Sequence, residues 1–457
     1  MTAYADFLDR KAQLAHGGGF TPIGLPSHLF EFQHALVDWA VRQGRGALFA
    51  DCGLGKTPMA LAWADQVHRR TGRCVLFLTP LAVGFQVVTE AEKFGHDAAL
   101  SRDGRVSAAV TVTNYEQLAK FDPDDFAGVV CDESSILKSF EGATRTAITE
   151  FMRRVPYRLL ATATAAPNDW TELGTSSEAL GGLGHTDMLS RFFTNKQRTN
   201  TSRSSFAATG RDVGWRLKGH AEHPFWRWVA SWARAVRRPS DIGFTDDGFH
   251  LPALQVRPTL VEASRPADGT LFDVPAEGLR EEREEARRTL VERCEAAAAA
   301  LSDADSGVAW CHLNDESSLL ARLIPDAVEI TGSDSPDEKE SKLAAFTRGE
   351  VPFLVTKPAI GAWGLNWQHA HRMTYFPTHS YEQWYQAVRR MWRFGQTHPV
   401  TVDVITTEGG RNVLANLQRK ADAADEMFTA LVAHMNQAAE VGARDYTQRI
   451  EVPAWAS

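Results

Sequence analysis

The stretch from Gly46 to Thr57, Gly-Ala-Leu-Phe-Ala-Asp-Cys-Gly-Leu-Gly-Lys-Thr, limits what this chain can fold into more than any other. An apolar strand-like run enters a glycine loop and leaves it, through Lys56 and Thr57, into a segment with helical spacing. In that order the three parts form a phosphate cradle. The backbone N–H groups of Gly53, Leu54 and Gly55 can turn toward an anion, Lys56 can reach the β- and γ-phosphates, and the Thr57 hydroxyl can ligate Mg²⁺. Pro58 falls where the helix opens, a position at which its missing N–H costs nothing, and the helix N-terminus adds partial positive charge. A strand, turn and helix with a coincidental Gly-Lys-Thr is the bland alternative. The joint occurrence of all the parts in the required order weighs against it.

Further strand-like runs follow at Cys74–Leu78, Val110–Thr113, Val129–Cys131 and Tyr157–Ala161, alternating with helix-like segments, which predicts a parallel sheet covered by helices. The Val129–Cys131 run empties into Asp132-Glu133-Ser134-Ser135, 76 residues after Lys56. Behind a phosphate loop, an apolar strand ending in Asp-Glu is the second half of a phosphoryl-transfer site. Asp132 would hold Mg²⁺ through water, and Glu133 would orient or deprotonate the attacking water. The next strand ends in Thr162-Ala163-Thr164, small and hydroxylated residues that allow another group to approach closely. Gln33, 23 residues before Lys56, stands at the start of a helical pattern made by Ala35, Leu36, Trp39 and Ala40. Its carboxamide could pair with N6 and N7 of adenine and so select ATP; the alternative is a solvent-facing residue at a helix start.

Composition excludes several classes. At 457 residues, 44% hydrophobic and 23% charged, the chain suits a soluble protein of two or three domains. No apolar run is long enough to span a membrane, and the first residues, with Asp6, Asp9, Arg10 and Lys11, lack a secretory h-region, so the cytoplasm is expected. Five scattered cysteines predict reduced, buried thiols, with no zinc spacing. The net charge is -8, yet eleven Lys or Arg against two acids lie between Arg191 and Arg238. Within that stretch Phe225, Trp228, Trp232 and Val236 recur at helical spacing and are expected to pack inward. Arg227 and Arg234, seven apart, would then share another face, which with Arg237 and Arg238 could follow a phosphate backbone.

A Pro-containing stretch to about Pro275 reads as a linker, and the charged helical segment 277–301, with Glu285 and Arg288 three apart, as a solvated face. A second strand series then appears at Val308–His312, Val328–Thr331, Phe353–Thr356, Met373–Phe376 and Val400–Ile405. Ser335-Pro336-Asp337-Glu338 opens one of its helices as a capping box. This half has no phosphate loop, but it has Gly361-Ala362-Trp363-Gly364-Leu365-Asn366 and then Gln386 to Gln396. Arg390 and Arg393, three apart, are expected on one helix face, where a guanidinium could act as an arginine finger. A basic surface helix is the plainer reading. A polar helix from about Val413 to Val441 would cap this half.

Together these motifs resemble superfamily 2 helicases, and within them the Swi/Snf-type double-stranded DNA translocases, especially short phage or bacterial ones. The resemblance spans residues 28–410 through Gln33, Ala50 to Thr57, Asp132 to Ser135, Thr162 to Thr164, Gly361 to Asn366 and Gln386 to Gln396. The ending Arg393-Phe394-Gly395-Gln396 is similar to the Swi/Snf branch. Arg389 departs from the Asp or Gly usual there, and Ser134-Ser135 from the usual Ala-His. The resemblance implies an α/β fold of two RecA-like domains with parallel sheets and an ATP cleft between them. It implies nucleotide contacts from Gly364 and Asn366, catalytic roles for Gln386, Arg390 and Arg393, and coupling through Thr162 and Thr164. It also implies ATP and Mg²⁺ as cofactors and double-stranded DNA as partner, with single-stranded DNA or RNA as alternatives. Without a nuclease motif, any cutting belongs to a nuclease, replication or recombination partner. An RNA helicase and a scaffold with a degenerate ATPase are the competing readings; a scaffold needs none of the six residues Lys56, Thr57, Asp132, Glu133, Arg390 and Arg393. The expected layout is an arm (1–27), a first domain (28–175), a basic aromatic-rich helical insertion (176–250), a linker (251–276), a second domain (277–410) and a helical extension (411–457).

Overall fold

A computed structural model describes residues 18–138, 142–166, 169–195, 215–262, 279–361 and 365–447. The chain divides into two compact units: residues through Thr79, Val87–Thr245 and those from Glu426 form the first, and Pro80–Gln86 with Asp246–Asp425 the second. Each is a RecA-like α/β domain built on a parallel sheet.

In the first unit, helix α1 (Glu31–Gln43) leads into β1 (Arg45–Ala50), and α2 (Lys56–Thr71) into β2 (Cys74–Thr79). Then come β3 (Ala98–Leu100), β4 (Val110–Asn114), β5 (Phe126–Asp132), α3 (Ala143–Arg154) and β6 (Tyr157–Thr162). The sheet order is β3-β4-β2-β5-β6-β1 followed by the later strand Ala233–Val236, every pairing parallel. Its inner strands are buried on both faces, all seven residues of β5 among them, which is why β2 and β5 read as largely apolar runs. Phe49, Trp63, Leu76, Phe77 and Leu160 are fully buried around them.

After α4 (Leu173–Leu180) and α5 (His185–Phe192) a hairpin of β7 (Phe193–Asn195) and β8 (Trp215–Leu217) leads to α6 (Glu222–Ala230) and β9 (Ala233–Val236). Phe225, Trp228, Trp232 and Val236 are all buried, as their spacing predicts. The helix nevertheless stops at Ala230, and the chain becomes the edge strand beside β1, with Ala47 opposite Ala233 and Ala50 opposite Val236. Arg227 and Arg234 therefore lie on different elements and share no face, a correction to the helical reading. Backbone pairing to the open edge of β1 outweighs the helical spacing of the aromatics, since unpaired buried N–H and C=O groups are costly. Lys196, Arg198, Arg203 and Arg211 lie outside the described residues.

In the second unit β10 (Leu254–Val261), β11 (Gly307–Trp310), β12 (Ala327–Glu329), β13 (Phe353–Thr356), β14 (Arg372–Tyr375) and β15 (Val400–Thr407) pair in the parallel order β10-β15-β14-β11-β13-β12. β10 falls within the expected linker, and its register on β15 runs unbroken from Leu254 opposite Val400 to Val261 opposite Thr407. Pro258 and largely exposed side chains hid it; both are tolerated on an edge strand. Helices α7 (Leu279–Arg288), α8 (Leu290–Leu301), α9 (Asn314–Leu323), α10 (Pro336–Thr347), α11 (Tyr381–Val388) and α12 (Arg411–Thr447) complete it. The capping box of α10 forms in both directions, Glu338 N–H to Ser335 Oγ at 3.3 Å and Ser335 N–H to Glu338 Oε2 at 2.8 Å. The Glu285–Arg288 pair also forms, but it is largely buried, and Glu285 accepts from Thr407 Oγ1 at 2.6 Å. That face of α7 is packed at the end of β15, not solvated. On α12, Leu417 joins the second core, whereas Leu431, Val432 and Met435 belong to the first, so the helix does more than cap the second unit. No cysteine among the described residues is bonded to another.

Candidate functional site

The glycine loop leaves β1 at Ala50 and closes onto α2. Gly53 and Gly55 take φ of 88° and 77°, a left-handed backbone that favours glycine and turns successive N–H groups to one side. α2 starts at Lys56 with no acid in its first turn and no side-chain cap, leaving its N-terminal donors for an anion. Thr57 is half-buried in that first turn. Lys56 Nζ rests 3.1 Å from Ala50 O, and Asp51 Oδ1 accepts from Cys52 N–H at 2.7 Å, so the loop is folded on its own contacts.

Gln33 is buried, not solvent-facing. Its Oε1 accepts from Phe30 N–H at 3.0 Å, and its Nε2 donates to Leu54 O at 2.9 Å. A methyl group on Gly55 would come within 2.3 Å of that nitrogen. The carboxamide thus props the glycine loop from behind.

β5 and β6 are neighbours in the sheet, and β6 adjoins β1, so Asp132, Thr162 and the glycine loop leave adjacent strand ends. Asp132 is buried, with Oδ2 3.4 Å from Thr79 Oγ1. Burial first, then the charge of Glu133, pushes its carboxyl up to about 7, against the pull of Lys56. Lys56 supplies part of the positive charge that two neighbouring buried carboxyls favour. Glu133 has φ of +50°, left-handed for a residue with a side chain, which costs on the order of 1–3 kcal/mol and persists only where surroundings enforce it. Its Oε2 lies 3.5 Å from Thr162 Oγ1, which accepts from Thr164 N–H at 3.1 Å. Two residues that sequence reasoning passed over sit here. Thr79, ending β2, reaches Asp132, and Tyr115, following β4, donates its O–H to the Asp132 carbonyl. Only the strand order β4-β2-β5 brings them there.

In the second unit α11 ends at Val388, so Arg390 and Arg393 lie in the turns after it and not on one helix face. They meet through another route: Arg390 Nη1 and Arg393 Nη1 are 2.9 and 3.4 Å from the same carbonyl, that of Leu365. Arg390, 2% exposed, also donates to Gln386 O at 2.9 Å and Gln386 Oε1 at 2.7 Å. Gln386 Nε2 and Asn366 Oδ1 are buried and have no hydrogen-bond partner among the described residues. Gly364 lies outside them. Arg389, the family departure, stacks 4.4 Å from the Trp392 ring. A cavity of about 440 Å³ in this unit, floored by the Arg293–Glu316 ion pair, touches none of these residues.

Of the four arginines expected on a nucleic-acid face, Arg227 is exposed. Arg234 donates to Ala233 O at 2.8 Å and stacks 4.4 Å from Trp39, and burial pulls its pKa down to about 10. Arg237 bonds Thr429 Oγ1 at 2.6 Å, and Arg238 pairs with Asp241 at 3.7 Å.

No protein-family model matches the chain, and no curated protein does. Among solved structures it is similar to the Sulfolobus solfataricus SWI2/SNF2 ATPase core in complex with dsDNA, at 16% identity, over 90% of this chain and 96% of that one, with a TM-score of 0.39.

Proposed function

We propose that this protein is an ATP-hydrolysing motor that moves on nucleic acid, with double-stranded DNA as its track. One observation carries the ATPase reading: the glycine loop with Lys56, the buried Asp132 and Glu133, and Thr162 converge on neighbouring strand ends of one sheet. In this reading the loop N–H groups and Lys56 hold the phosphates, and Gln33 keeps the loop in shape and would offer its remaining donor and acceptor capacity to the base. Glu133 orients the attacking water, and Thr162 aims its carboxylate. The buried Asp132 carboxyl at the strand end beside the glycine loop, with the Thr79 hydroxyl 3.4 Å away, fits a divalent cation as neighbour. Asp132, through water, and Thr57 would hold Mg²⁺, which supplies charge neutralisation on the phosphates.

Arg393 and Arg390 would supply positive charge to the phosphates, with Gln386 setting Arg390, and Asn366 and Gly364 contributing contacts. The choice of duplex DNA rests on the Swi/Snf-like sequence Arg393 to Gln396, with Arg227, Arg237 and Arg238 as phosphate contacts and Thr162 and Thr164 as the link between hydrolysis and movement. ATPase rates with double-stranded DNA, single-stranded DNA and RNA at one salt concentration test this. Duplex DNA is expected to stimulate most, with triplex displacement and little strand separation; a strong preference for RNA would overturn the assignment of the track.

A further inference from the structure

We infer that Tyr115 is a positioning residue for hydrolysis, acting through the backbone that aims Glu133; this rests on the ATPase reading above. Tyr115 is buried at the carboxyl end of β4, two strands from β5, and its phenol O–H donates to the carbonyl of Asp132. That carbonyl belongs to the peptide plane joining Asp132 to Glu133. Fixing the plane restricts ψ of Asp132 and φ of Glu133 together, because the peptide is rigid. Glu133 sits at the sterically disfavoured φ of +50°, so some partner must outweigh its tendency to relax. The Tyr115 hydroxyl supplies that partner. With the plane held, the Glu133 carboxylate points at Thr162 Oγ1, 3.5 Å away. With the plane released, Glu133 can return to φ below zero, which swings its side chain off that line. Tyr115 never meets a nucleotide in this scheme. Its second contact, 3.2 Å to Cys131 Sγ, serves packing.

The test is Tyr115→Phe, which removes one hydroxyl and leaves the ring in the core. The turnover number should fall by about 10²-fold, the scale of a misplaced catalytic group, while the KM for ATP and the affinity for a fluorescent ATP analogue stay near wild type. Cys131→Ala, which deletes the other contact, should keep its rate. The decisive readout is the double variant Tyr115→Phe with Glu133→Gln. If Tyr115 acts through Glu133, adding the first change to the second costs nothing more. Equal losses of rate in both backgrounds, or a Tyr115→Phe enzyme with normal turnover, would overturn the inference. A wild-type protein that hydrolyses no ATP with any nucleic acid would instead sink the ATPase assignment itself, and a Glu133→Gln enzyme with full turnover would sink the role of Glu133, which separates the failures.

Discussion

The strand ends of the first unit and the arginine turn of the second are built on opposite plans. In the first, donors and carboxylates are positioned by neighbours on adjacent strands and keep capacity for a ligand: Lys56 holds one close carbonyl, and Asp132 one distant hydroxyl. In the second, Arg390 spends its donors on Leu365 O and on both oxygens of Gln386. In the proposed reading the first arrangement is organised in advance for a nucleotide, and the second would have to exchange internal bonds for external ones. Arg393, whose contact to the same carbonyl is longer at 3.4 Å and which is half-buried where Arg390 is buried, is the better placed of the two to make that exchange.

The contrast breaks most sharply at the residues of largest expected effect. Arg393→Ala should lower nucleic-acid-stimulated ATPase by about 10³ to 10⁵ with little loss of stability, and Glu133→Gln by about 10² to 10⁴. Near-normal turnover in the Arg393 variant would mean that the second unit contributes no charge to the reaction. Arg390→Ala should also inactivate, but for a different reason. Removing it takes the donor from Gln386 Oε1 and leaves the Leu365 carbonyl with the longer contact to Arg393, so denaturant unfolding should show a loss of about 2–4 kcal/mol. If Arg390→Ala unfolded like wild type while Arg393→Ala did not, their roles would be exchanged.

Within the first unit, Gln33→Ala removes the prop under Leu54 and Gly55. The KM for ATP should rise about tenfold, as expected for loss of a buried hydrogen bond worth about 1 kcal/mol or somewhat more; calorimetric ATP titration would check it. Arg227→Gln should flatten the log–log salt dependence of duplex binding by about 0.9. Arg234→Gln should instead lower stability, since that guanidinium stacks on Trp39 inside the fold. The smallest effect concerns His312, whose Nε2 lies 2.8 Å from Phe376 O and whose pKa burial holds below 6.5. Between the folded pKa and 6.5 the unfolded chain binds more protons, so this stability is present above 6.5 and is lost as pH falls toward the folded value. His312→Gln should therefore shrink the drop in melting temperature measured between about pH 7.5 and about pH 5.5.

Much of this was legible in the chain because periodicity and local motifs are local physics. The buried strands β2, β4, β5 and β6 read as strand-like runs, and the loop from Gly53 to Thr57 announced its own left-handed turns through its glycines. β10 escaped because an exposed edge strand with Pro258 carries no apolar run. The helical spacing of Phe225, Trp228, Trp232 and Val236 was right about burial and wrong about conformation beyond Ala230, because burial is shared by both structures and only the open edge of β1 selects the strand. Likewise the three-residue spacing of Arg390 and Arg393 implied proximity, which holds, by way of a helix, which ends too early.

The sequence by itself determined the glycine loop, the Asp132–Glu133 pair, the paired arginines and a parallel α/β plan, since each is written in residues close together along the chain. Tertiary structure alone decided which groups those residues spend their bonds on: Gln33 on Leu54, Tyr115 on the Asp132 carbonyl, Arg390 on Leu365, Arg234 on Trp39. Such partners are separated by 17 to 195 residues in pairs like Tyr115–Asp132 and Asp241–Asn436, and are joined only by strand order and packing. A hydrogen bond needs its donor and acceptor within about 3 Å, a condition that spacing along the chain does not fix until the sheet has closed.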